Sequence, residues 1–163
     1  MQILTRNEAT DRAAHLHVSA IDVVVDIRGA QDTTIPTYPV TSTLTMTSDE
    51  ERTFIDIVGD VTEVLLNGAP HPFEDDEDRV WVGGLPVGEP ITLQVRALAR
   101  YSRSGEGLHR YTDPEDGEVY LYTQFEPNDA HRAWPCIDQP DVKPEWTFHV
   151  IAPAGWVVSS NGI

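Results

Sequence analysis

The apolar positions of this chain change their period after residue 15. Residues 5–15 read as a short helix, with Thr5 as N-cap and Glu8 three residues on. That is the spacing of a capping box, in which each side chain satisfies the other residue's backbone N–H. Beyond it the period is two. Ile21, Val23, Val25 and Ile27 fall on one face, with Asp22, Asp26 and Arg28 on the other, the pattern of a half-buried strand. Tyr38, Val40, Ser42, Leu44 and Met46 likewise oppose a ladder of Thr41, Thr43, Thr45 and Thr47. Further β runs follow at 54–58, 61–66, 80–82, 91–101, 119–125, 146–151 and 156–159.

Turn residues separate these runs at short intervals: Gly59-Asp60, Asn67-Gly68, Gly83-Gly84, the 113–117 stretch, and Pro153 with Gly155. Many short strands so punctuated predict an all-β fold: a twisted sandwich or saddle of mostly antiparallel strands with one short N-terminal helix. Residues 129–133 are the one other stretch with helical character. No repeat or low-complexity linker divides the chain, so residues 1–163 read as one domain.

Composition narrows the partners. The chain has 11 Lys plus Arg against 27 Asp plus Glu, a formal net charge of −16. Such a surface repels phosphate backbones and anionic bilayers, and no basic stripe offsets it, which argues against nucleic-acid and membrane partners. No apolar stretch approaches the roughly 18 to 20 residues of a membrane span, and the first residues contain no apolar signal segment. Cys136 is the single cysteine, so no internal disulfide can form. These features predict a soluble protein of a reducing, cytoplasmic setting.

The catalytic inventory is thin. The sequence holds no H-E-x-x-H, no G-x-S-x-G, no Gly-rich phosphate loop and no zinc-spaced cysteine pair. His15 and His17 are close together but lack an evident third ligand, so the sequence predicts no metal site there. The acidic run Glu74-Asp75-Asp76-Glu77-Asp78 lacks the alternation and glycine of a calcium loop and predicts a charged, solvated hairpin. Cys136, between Trp134-Pro135 and Ile137, reads as a small buried hydrophobe. No catalytic residue is assigned. On the 119–125 run, Tyr120, Tyr122, Gln124 and Glu126 share one face. A Gln and a Glu side by side at a strand end suit an amine: the Glu supplies charge and the Gln a further acceptor. A solvated strand end is the alternative for the same two residues.

The run TQFEPNDAHRAWPCIDQPDVKPEW, residues 123–146, resembles the N-terminal-domain signature of the aminopeptidase N family of zinc metallopeptidases. That signature is a T-Q-x-E step, a helical turn with arginine, and an aromatic-P-C-x-D-x-P stretch. The upstream YSRSGEGLHRYTDPEDGEVYLY is similar to the family's strand pair in the form common among actinobacterial-type members, and the opening LTRNEATDRA matches as well. Pro144 and Trp146 depart from the usual small residue and Phe. The resemblance implies a non-catalytic β-domain that packs on a thermolysin-like catalytic domain and lends it one strand end of the active-site wall. Gln124 and Glu126, carried over by position, would hold the α-amine of a peptide substrate. Arg132 and Asp138 match structural positions and would pair to shape the following loop.

Zinc, with its ligands, is expected in the catalytic domain, not in these residues. The chain stops at Asn161-Gly162-Ile163, where the family's domain continues, so a truncated fragment without hydrolytic activity is the expectation. Two other functions compete: a non-catalytic interaction scaffold on the same fold, and a free-standing ligand-binding sandwich using Tyr120 and Tyr122 as a carbohydrate platform. A glycosidase pairing Glu126 with Asp138 would need a separation of about 5 to 10 Å that nothing in the sequence fixes.

Overall fold

The structure is a computed structural model that describes residues 4–161. Helix α1 (Arg6–His15) begins at the predicted capping box: Glu8 N–H donates to Thr5 Oγ1 and Thr5 N–H to Glu8 Oε2. It passes without a break into strand β1 (Leu16–Asp26). There follow β2 (Thr37–Ser48), β3 (Arg52–Asp56), β4 (Gly59–Leu66), β5 (Ala69–Pro70), β6 (Glu74–Asp76), β7 (Arg79–Gly83), β8 (Ile91–Arg100), β9 (Gly107–Thr112) and β10 (Val119–Gln124). A 3₁₀ turn (Ala130–Arg132) and β11 (Glu145–Ile151) complete the order.

Three sheets form: six strands in the order β11-β1-β2-β8-β4-β5, three in the order β3-β7-β6, and the β9–β10 ribbon. All pairings are antiparallel except β11 on β1. The predicted alternation is the observed packing. Ile21, Val23, Val25, Tyr38, Val40, Leu44, Ile91, Leu93, Val95, Ala97 and Ala99 all face one core, joined from the second sheet by Ile55, Val80 and Val82. Each such aliphatic side chain withdrawn from water contributes about 1.5 to 3 kcal/mol, which is what holds the two layers face to face.

One detail of the sequence reading changes. Residues 156–159 are not a strand: Val157 and Val158 are exposed and pair with nothing. An apolar run forms a strand only beside a ladder partner, and β11 already holds the free edge of β1 on that side. His15 ends α1 and His17 lies on β1, so the pair sits where the helix hands over to the strand. The acidic run does lie in a hairpin, with β6 supplying its exposed first arm and Glu77 turning the chain at φ 54°.

Candidate functional site

β10 carries the predicted amine-binding edge. Gln124 is its last residue, pairing with Gly107 of β9, and Glu126 lies two residues beyond, in a turn whose Asp129 N–H donates to Phe125 O at 2.9 Å. Both Gln124 and Glu126 are exposed, and neither side chain has a hydrogen-bond partner among the described residues. Phe125, between them, turns inward and packs edge-on against the buried Trp134 with ring centroids 5.0 Å apart. Alternation therefore does here what it did in sequence: one residue anchors the strand end while its two neighbours present an amide and a carboxylate to solvent.

The ground beneath this edge is unusually well tied. Ala133, Trp134, Cys136, Ile137 and Gln139 are all buried. Cys136 N–H donates to Asp56 O, and Asp56 N–H to Cys136 O, at 3.0 and 2.8 Å. Tyr38 reaches up from β2 to donate its hydroxyl to Ala133 O at 2.9 Å. Asp56 Oδ2 accepts from Arg12 Nη1 and from Asp138 N–H, both at 2.9 Å, so α1, β3 and this loop meet on one carboxylate oxygen. Gln139 closes the set, accepting from Arg12 Nε and donating to Ala9 O. Arg12 Nη2 and Trp134 Nε1 stay without a hydrogen-bond partner among the described residues, but the bonds through Asp56, Gln139 and Tyr38 tie the helix, β2, β3 and the loop together.

Arg132 and Asp138 do not pair as expected. Asp138 Oδ2 takes the Nδ1–H of His131 at 2.6 Å and also its backbone N–H, while Arg132 Nε donates to Asp129 Oδ1. Both residues shape the loop, but each through a closer partner: Asp129 lies one turn before Arg132, and His131 is turned inward toward Asp138 by its burial. Burial also pushes the Cys136 thiol well up, with Asp138 and Asp56 adding to the effect. A thiol held protonated is a packing group, not a nucleophile.

Sequence reading missed the roles of Gly107, His131 and Asp56. Gly107 alone leaves a trace, as a glycine at the start of a strand. The burial of His131 and Asp56 follows from contacts across many residues and has no local signature. The tyrosine platform is present in part. Tyr120 and Tyr122 are about half exposed, but Tyr122 leans on His109 at 4.8 Å between centroids and Tyr120 donates its hydroxyl to Asp116 at 2.8 Å. A second surface lies beside the ribbon: a groove of about 940 Å³ lined by Trp146, Phe148 and Val150 of β11 together with Leu121, Trp134 and Trp156.

Fold and loop together define a β-rich accessory domain that displays one polar strand end. Residues 40–163 match the Peptidase M1 N-terminal domain family, and the chain belongs to it. Across 97% of its length the chain is 41% identical to the aminopeptidase N of Streptomyces lividans, of which it covers 19%. To the aminopeptidase N of Haemonchus contortus it is 34% identical over 66% of its length, covering 11% of that protein. Among solved structures, an M1 zinc metallopeptidase from Deinococcus radiodurans shares the fold with a TM-score of 0.64 at 24% identity, over 86% of this chain and 33% of that one. Legionella pneumophila aminopeptidase A shares it with a TM-score of 0.69 at 14% identity, over 83% of this chain and 16% of that one. The chain thus spans about a fifth or less of the curated relatives named here. No helix among the described residues is long and apolar enough to cross a membrane.

Proposed function

We propose that this domain supplies the substrate α-amine anchor of a soluble, cytoplasmic zinc aminopeptidase, with Glu126 and Gln124 forming part of an active-site wall completed by a catalytic domain. The observation that carries this reading is an exposed carboxylate and amide, without a hydrogen-bond partner among the described residues, at one strand end above a platform tied together by Asp56, Arg12 and Gln139. Glu126 accepts hydrogen bonds from the substrate ammonium and Gln124 offers a further oxygen. A charge-assisted bond of this kind contributes about 1.5 to 3 kcal/mol. Because the anion is fixed about one residue from the scissile bond, it rewards only a peptide whose free N-terminus lies there.

Zinc in such an enzyme polarises the scissile carbonyl and activates water. The residues at this strand end do not fit a zinc ion: among the described residues, no three ligand atoms of His, Cys, Asp or Glu gather there closely enough to hold one. The ligands therefore belong to the catalytic domain, and the task of this chain is to bind and orient. Hydrolysis of aminoacyl p-nitroanilides and their N-acetylated counterparts tests the reading. This domain alone should be silent, and the longer enzyme should cleave only the free amines. Equal cleavage of the acetylated compounds would remove the anchor role, and an inactive longer protein would place the chain among interaction scaffolds.

A further inference from the structure

His15 lacks a third ligand only in the linear sequence. The fold brings Glu50, from the turn after β2, beside the last turn of α1, where Asp11 and His15 stand one turn apart on the same helix face. His15 Nδ1 lies 3.7 Å from Asp11 Oδ1 and 3.7 Å from Glu50 Oε1, and one ligand atom from each of the three residues falls within 4.8 Å of the others. We propose that Asp11, His15 and Glu50 form a binding site for one divalent first-row transition ion of the zinc type.

The donor set is chemically apt. One imidazole and two carboxylates, with open positions left for water, suit zinc and its neighbours. A tetrahedral ion with bonds of about 2.0 to 2.1 Å separates its ligand atoms by roughly 3.3 Å. The observed spacings need only a modest inward rotation of Asp11 and Glu50, whose side chains are 70% and 51% exposed and free to move.

The backbone beneath does not need to move. Asp49 N–H donates to His15 O at 2.9 Å, and Ser48 Oγ bonds both the N–H and the C=O of Glu50, which pins the turn to the helix end. Neither the Asp11 nor the Glu50 carboxylate makes a hydrogen bond among the described residues, while His15 Nδ1–H donates to Asp11 O at 2.9 Å. The two carboxylates face His15 across 3.7 Å gaps, which leaves room between the three groups. The negative end of the α1 dipole and the formal charge of −16 both favour a cation there. His17 stands apart from these groups, turned toward Asp49 at 3.8 Å.

With the proton of the neutral imidazole on Nε2, the Nδ1 lone pair would be available to a metal, at the expense of the contact with Asp11 O. Calorimetric titration of Zn²⁺ into the chelator-treated chain tests this. The expected result is saturable equimolar binding. His15→Ala should abolish it, Asp11→Asn and Glu50→Gln should each weaken it by about tenfold or more, and His17→Ala should leave it unchanged. Should a variant fail to fold, Mn²⁺ added to the unaltered chain must broaden the amide resonances around residues 11, 15 and 50 first. No saturable binding, unchanged binding by a folded His15→Ala variant, or broadening centred elsewhere would each overturn the assignment.

Discussion

Gly107 and Arg132 meet at the base of the candidate site: a β-carbon on Gly107 would lie 2.8 Å from the β-carbon of Arg132. Gly107 also stands opposite Gln124 in the β9–β10 ladder and holds φ at +68°, where other residues are strained. The absence of a side chain lets the 3₁₀ turn close onto β9, the ladder partner of the strand that presents Gln124. Gly107→Ala should therefore lose about 2 to 4 kcal/mol, from steric overlap and left-handed backbone together. A lowered urea midpoint with unchanged slope would show this, and a midpoint equal to that of the unaltered chain would contradict it.

The helix cap makes stability depend on acid. Thr5, through its hydroxyl and then its backbone N–H, and Arg79 at 2.9 Å hold the Glu8 carboxyl at about 2, against an ordinary 4.5. A depressed folded value stabilises above the unfolded pKa and is lost as pH falls from about 4.5 toward 2. Glu8 is 40% exposed, so solvent screening holds the effect to about 1 kcal/mol or less. Glu8→Gln should flatten the fall in stability between about pH 5 and pH 2. An unchanged slope over that window would show that the cap plays no part.

Cys136 should resist chemistry. It is completely buried, and its thiol is pushed well above the ordinary range by desolvation. Labelling by a thiol reagent in native buffer should be slower than in denaturant by a factor that tracks the unfolding equilibrium. Fast native labelling would mean that the 131–139 loop opens on its own.

Among the described residues the outer edge of β11 pairs with no strand, and its Trp146, Phe148 and Val150 line an apolar groove. An open edge beside exposed apolar side chains templates pairing with another copy. The 163-residue chain should accordingly self-associate as its concentration rises, and Phe148→Lys should suppress this. A monomer in light scattering at high concentration would refute it.

The alternating strands were readable because the sheets bury one face, so the core residues of β1, β2 and β8 stand at every second position. Residues 156–159 carry a similar apolar signal and form no strand, since pairing depends on a neighbour that local pattern does not reveal. At the candidate site, Gln124 and Glu126 were legible from strand phase and from the surrounding motif. The partners of Arg132 and Asp138 were not, because closer residues within the loop compete for them and burial decides between them. The Asp11–His15 spacing is visible on a helix, whereas Glu50 joins it only through the antiparallel return of β2.

The amine anchor is tested most directly by kcat/KM on a free-amine dipeptide in the full-length enzyme carrying Glu126→Ala. Loss of one charge-assisted hydrogen bond of about 1.5 to 3 kcal/mol corresponds to a fall of roughly 10- to 150-fold. Gln124→Ala should cost less, since it removes a neutral acceptor. That ordering, with folding unchanged, is the predicted result. A Glu126→Ala enzyme with undiminished kcat/KM would contradict the anchor role.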